Sequence, residues 1–209
     1  MTTGPGLRER KNARTRAAIV RAALELTLER GFEGATLSQI AERADVSRGT
    51  LFTWFASKED IVLRGLDAHI DALLAALDAT EGDTVDRLER WMAGQGERIA
   101  AEEDELSRLR TRAILADPHL RALQRTHLDV AERAIAASAA RETGLPAEGL
   151  ASQAFAAAAV SILGGLQERF AAEDHERGDG TELRTAFTLL RDMLTGMRAA
   201  GAPGAGPGA

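Results

Sequence analysis

Residues 47–54, Ser-Arg-Gly-Thr-Leu-Phe-Thr-Trp, gather side chains suited to recognising a polyanion. Wound as a helix, the segment puts Ser47, Arg48, Gly49, Thr50, Thr53 and Trp54 outward and Leu51 inward. A guanidinium can bridge the O6 and N7 acceptors of guanine, which makes Arg48 the natural base reader. Thr50 and Thr53 have the chemistry for a phosphate oxygen or a thymine methyl, and Gly49 lets the backbone approach a sugar-phosphate strand. Each residue alone is explained as well by simple solvation. Together, on one short face, they point to duplex DNA.

Such a face needs a rigid base, and the preceding residues supply its parts. Thr36 begins a Thr-x-x-Gln pattern with Gln39, a reciprocal cap that starts a helix over about 37–44. Asp45-Val46 makes a tight turn, and Ser47 caps the next helix, which runs to about Trp54. Ile40, Ala41, Ala44, Val46, Leu51 and Phe55 have the spacing of a packed interior, with the small alanines allowing close approach. The resulting helix–turn–helix would present its second helix to a major groove. Upstream, residues 8–30 are amphipathic and end at Gly31, where a left-handed backbone is cheapest. Phe32 and Ala35 tuck back onto that helix, and Ser57 caps a fourth helix opening with Lys58-Glu-Asp60.

These residues resemble the TetR family of bacterial regulators. The matching pieces are Arg14-Thr-Arg16, Ala22-Ala-Leu-Glu-Leu26, Glu29-Arg-Gly-Phe32, Ala35-Thr36, Ile40-Ala41, Val46-Ser-Arg-Gly-Thr-Leu-Phe52, Phe55 and Ser57-Lys-Glu-Asp60. The resemblance covers roughly residues 10–65. It implies phosphate contacts at Thr36 and Lys58 and a recognition helix over 47–54. It also implies a helical C-terminal domain for ligand and dimerisation. Three positions depart from the family pattern. Asp45 stands where Gly is common, and Asp tolerates a left-handed backbone better than most residues. Phe52 stands for a Tyr whose hydroxyl reaches phosphate, so that bond is lost and packing is the role left to the ring. Trp54 stands for His or Tyr, with an indole N–H to replace the donor. The six basic residues from Arg8 to Arg21, Arg14 among them, then form an arm that can lie beside or in the minor groove.

Charge is distributed accordingly. The 209-residue chain carries a net charge of −6. Residues 1–58 hold ten Lys/Arg and six Asp/Glu, a net +4, and the remainder carries −10. A basic head on an acidic body is the asymmetry expected when one end meets phosphates. Cysteine is absent, which removes disulfides and thiolate zinc sites and fits a reducing cytoplasm. No apolar run reaches the roughly 18 residues of a membrane span. Beyond Ile61 the periodicity stays helical, with breaks near Glu81-Gly-Asp83, at Asp117-Pro118, at Thr143-Gly-Leu-Pro146 and at Gly178-Asp-Gly180. The expected fold is all-α, with about nine helices. A three-helix head with the helix–turn–helix occupies 1–57 (1–7 disordered), a regulatory and dimerisation domain 58–200, and a disordered Ala/Gly/Pro tail 201–209.

One head contacts few base pairs, so a specific operator calls for two, and hence a homodimer. Two apolar stripes are candidate seams: Phe155, Ala159, Leu163, Leu166 and Phe170, then Leu183, Phe187, Leu190 and Leu194. A stripe of this kind is more often internal core. For a small-molecule effector the candidate lining is Trp91, Met92, Ile99, Leu109, Leu123, His127 and Phe155, residue types that are each more often simple core. Few polar anchors accompany them, which favours a hydrophobic effector, a fatty acyl thioester being one example. Enzymatic chemistry has little to rest on. His69, His119, His127 and His175 are scattered, with no His-Glu-x-x-His, no phosphate loop and no nucleophile elbow. No cofactor or metal is expected. A purely architectural DNA binder would carry more uniform positive charge and would not need the long acidic body.

Overall fold

The computed structural model describes residues 6–98, 101–171 and 181–202. Ten helices, and no strand, occur among these residues. They are α1 (Leu7–Gly34), α2 (Leu37–Arg43), α3 (Arg48–Trp54), α4 (Lys58–Leu63), α5 (Leu66–Leu77), α6 (Thr84–Arg98), α7 (Ala101–Ala116), α8 (Pro118–Thr143), α9 (Leu150–Ala171) and α10 (Thr181–Gly201). The count exceeds nine because the run from residue 58 to 80 is two helices. Gly65 has φ +97°, a backbone that no right-handed helix contains, and it separates α4 from α5.

The chain divides into two compact units, one of Met1–Gly65 with Ala100–Gln124 and the other of Leu66–Ile99 with Arg125–Ala209. In the first, α1 is central. Ile19, Val20, Ala22, Ala23, Leu24, Leu26 and Thr27 are all buried, which is more than one face of the helix. Both flanks are covered, by α2 and α4 on one hand and by α7 on the other. Helix α7 therefore belongs to the compact unit that holds the helix–turn–helix. Arg21 grips Glu105 through paired bonds of 2.5 and 2.9 Å, and the Arg110 Nε–H donates to the Val62 carbonyl at 3.1 Å. Burial pushes the Arg110 guanidinium below its ordinary pKa.

Gly31, at φ +74°, breaks α1 before its last residues, and Phe32 and Ala35 are then buried. The Phe32 N–H freed at this break donates to the Asp117 carboxylate at 2.9 Å. Asp117 also accepts the His119 and Leu120 N–H groups, so it caps α8 with Pro118 in the first helical position.

The second unit has an apolar core built from Leu73, Leu77, Val85, Leu88, Ile135, Phe155, Leu163, Phe187, Leu190 and Leu194, interleaved with alanines. Beside it lies a polar network. Thr84 and Ser138, both fully buried, share a 2.9 Å bond, and Arg87 donates to Ser138 and Glu142 at 3.1 and 3.2 Å. Arg198 reaches Asp83 and Glu142, while Arg191 reaches Asp86 and Glu89. Gly201 ends α10 at a point where an added Cβ would overlap the Thr143 carbonyl oxygen.

Candidate nucleic-acid interface

The helix–turn–helix is assembled from local devices. Thr36 accepts the Gln39 N–H, and the Gln39 side chain accepts the Thr36 N–H at 3.0 Å, closing the reciprocal cap on α2. The turn that follows holds Asp45 at φ +52°, the only non-glycine positive φ among the described residues. The Val46 N–H returns to the Ala41 carbonyl at 2.9 Å. Ser47 then caps α3, accepting the Thr50 N–H at 3.0 Å. Ile40, Ala41, Leu51 and Phe55 are buried to 3% exposure or less, while Ala44 and Val46 are half-buried. Arg43 ties α2 to α1 through two bonds to Glu29 at 2.6 and 2.8 Å. That hydrogen bonding holds the Glu29 carboxyl below its ordinary pKa.

Outward on this scaffold stand Thr36, Ser47, Arg48, Gly49, Phe52 and Thr53, all exposed, with Thr50 and Trp54 half-buried. The hydroxyls are less available than their residue types suggest. Thr53 donates its hydroxyl hydrogen to the Gly49 carbonyl at 2.9 Å, and Ser47 and Thr50 bond each other at 2.8 Å. Three hydroxyls thus keep one hydrogen free between them. Arg48 makes no hydrogen bond or ion pair with another described residue and projects an uncommitted guanidinium. Phe52 is 50% exposed. The ring does not fill the interior, because Leu51 and Phe55 already occupy it, and it lies one helical turn beyond Arg48 on the same face.

Basic residues flank this face. Arg14 is exposed on α1, and the Arg16 guanidinium lies 5.0 Å from the centre of the Trp54 ring. Lys58 donates to the Phe32 carbonyl at 2.5 Å and sits over the Phe32 ring, which leaves two of its three N–H donors. The capping functions of Thr36, Ser47 and Ser57 could be read in advance from short patterns. The Arg16–Trp54 stack could not, since it joins residues 38 positions apart with no spacing rule between them.

The remaining candidate residues fall elsewhere. Phe155, Ala159, Leu163, Leu166, Phe187, Leu190 and Leu194 are buried, and Leu183 packs against the same core. Those side chains fill the core of the second unit. On α10 the outward strip is instead Leu189 (55% exposed), Met193 (37%) and Gly196. Of the candidate lining, Trp91 and Met92 pack on the core that contains Phe155, and the His127 Nε2 lies 3.0 Å from Asp67. Leu109 and Leu123 belong to the first unit. Ile99 and the Phe170 side chain lie outside the described residues. His119 stacks on Phe32 at 5.3 Å and His69 meets Trp91 edge-on at 5.4 Å. No group of three metal-binding side chains occurs among the described residues, and no described helix is long and apolar enough to cross a membrane.

Residues 19–64 match the family described as bacterial regulatory proteins, tetR family, and residues 82–195 match the MftR C-terminal domain family. The HTH-type transcriptional regulator TcmR of Streptomyces glaucescens is 51% identical over 75 residues, 36% of this chain and 33% of TcmR. The chain thus spans about a third of that relative's length. The HTH-type transcriptional activator FasR of Mycolicibacterium smegmatis is 26% identical over 159 residues, 70% of this chain and 68% of FasR. The fold is shared with GusR of Salmonella enterica at TM-score 0.57 and 22% identity, over 88% of this chain and 95% of that one.

Proposed function

This chain belongs to the TetR family of bacterial regulatory proteins, and we propose that it is a DNA-binding transcriptional regulator, a homodimeric repressor that releases its operator on binding a small hydrophobic effector. One observation supports the reading above the others: α3 stands on a tightly buried base and offers an unpaired Arg48 to the outside. Arg48 reads a guanine edge, and Thr36, Lys58, Arg14 and Trp54 serve as backbone contacts that fix its register.

Two heads are required for a specific operator, and the outward strip of α10 is the surface offered for pairing. Leu189, Met193 and Gly196 follow helical spacing, and on α9 the Ala157 and Ser161 side chains are also exposed. Beside them, a Cβ added at Gly164, Gly165 or Gly196 would meet nothing within 4 Å. Glycine inside a helix costs about 1 kcal/mol against alanine. No packing within the subunit repays that cost here, whereas close approach of a second α9–α10 pair would.

We propose the effector site in the second unit, around Trp91, Met92 and His127. The Trp91 Nε1 and His127 Nδ1 atoms are buried without a hydrogen-bond partner, so a mainly apolar ligand with an acceptor group would satisfy the indole. To empty an operator that is almost fully occupied, the effector must favour the non-binding arrangement by about 5 kcal/mol. Repression is the direction proposed; FasR is named an activator, so transcription from the operator must be measured in both directions.

The test is selection of duplexes from a random pool by the intact protein, followed by a mobility shift at several salt concentrations. The expected result is a two-fold symmetric site whose affinity falls steeply with salt. Arg48→Ala should lower the preference for that site by about 10- to 100-fold, the discrimination of one bidentate pair. A wild-type preference in that variant would remove Arg48 from the reading.

A further inference from the structure

We infer that Phe52 reads the C5-methyl group of a thymine in the operator, beside the guanine read by Arg48. The inference rests on the DNA-binding reading and goes further, because it assigns a second specificity-determining residue and the base it selects. Phe52 keeps half of its surface exposed on a helix whose interior is already closed by Leu51 and Phe55 at 1% and 2% exposure. A phenyl ring has no donor or acceptor, so it can neither bond a phosphate nor read a base edge through hydrogen bonds. Its neighbours on the strip offer little more, since Thr53 turns its hydroxyl hydrogen back to Gly49 and Ser47 and Thr50 bond each other. Along this strip the guanidinium of Arg48 is followed, one helical turn on, by the apolar ring of Phe52. In the major groove the counterpart of the guanidinium is guanine, and the one apolar feature is the thymine methyl.

Geometry agrees with that pairing. Arg48 and Phe52 are four residues apart, about 6 Å along the helix axis, a distance of the order of two base-pair steps. Gly49 between them has no side chain to hold the strip away from the groove; an added Cβ there would meet nothing nearer than Ser47 Oγ at 3.7 Å.

The experiment takes the operator selected by the full-length protein and replaces its thymines one at a time by deoxyuridine. This removes the methyl and leaves base pairing intact. At one position per half-site the wild type should lose about fourfold in affinity, the worth of one buried methyl-sized group. Phe52→Ala should bind the thymine and uracil operators equally, and Phe52→Tyr, which keeps the ring, should retain the difference. If no replacement weakens the wild type, or if uracil weakens Phe52→Ala as much, the inference is overturned while the selected operator still supports DNA binding. Failure to select any duplex overturns both.

Discussion

Helix α3 with its support and the second compact unit are stabilised over different distances along the chain. The bonds that cap and brace α2 and α3 are local: Thr36 with Gln39, Ser47 with Thr50, and Thr53 with Gly49 lie three or four residues apart, and the Arg43–Glu29 tie to α1 spans only 14. In the second unit the polar bonds bridge remote segments, with 51 residues between Arg87 and Ser138 and 115 between Arg198 and Asp83. Local bonds specify one short element and, on its outer face, engage only the hydroxyls of Ser47, Thr50 and Thr53, which leaves Arg48 and Phe52 available. Remote bonds hold several helices together at once, and they suit a unit whose core is rich in alanine, where small side chains bury little area per contact.

Removing the plug beneath α3 has the largest expected effect. Leu51→Ala should cost about 3 kcal/mol through lost burial and the cavity left behind. Urea unfolding would register that cost, and duplex selection should fail together with the fold of the head. If Leu51→Ala is as stable as the wild type, the caps suffice without the plug and the account of the head is wrong. A smaller effect is expected in the second unit. Arg87→Met keeps the apolar stem and removes the charged donor shared by Ser138 and Glu142. Glu142 retains Thr84 and Arg198, so the loss should be about 2 kcal/mol, the scale of a hydrogen bond to a charged group. Base preference should be unchanged in this variant. An altered preference would mean that the remote network also shapes the recognition face.

The same contrast explains what could be read from the sequence. The caps at Thr36, Ser47 and Ser57, the stop at Gly31 and the turn at Asp45 each sit in a pattern a few residues long, and all appear where those patterns put them. The break at Gly65 was hidden because apolar periodicity continues on both sides of it. The companionship of α7 with α1 was hidden for a stronger reason: the Arg21–Glu105 bond spans 84 residues, and just beyond α7 the Phe32–Asp117 bond spans 85. Nothing local in Glu105 or Asp117 names the partner. The stripes on α9 and α10 were legible as apolar and illegible as to what covers them. Phe155 and Leu190 are buried within their own chain, while Leu189 and Met193 are exposed. Phe52 shows the converse difficulty, since an aromatic residue in a helix reads as core until the volume around it is known to be full.

Asp117 makes a remote bond inside the first unit, whose α3 relies on local ones. Burial alone would raise its pKa, but the N–H groups of Phe32, Leu120 and His119 point at the carboxylate and outweigh burial, so the net shift is downward. A carboxyl with a lower pKa in the folded chain adds stability that is complete above the unfolded value, about 3.9. That contribution is lost as pH falls through the folded value. Asp117→Asn keeps one acceptor oxygen and presents an NH2 group to the remaining donors. Since Asn is itself a good helix cap, the loss at neutral pH should stay under about 1 kcal/mol. Unfolding midpoints of both proteins, followed from pH 7 downward, should differ most at neutral pH and converge below the ordinary aspartate range. The other carboxylates titrate alike in both proteins and cancel from the difference. A gap that stays constant with pH would mean that Asp117 acts by shape alone, and its charge would then have no part in joining Phe32 to the start of α8.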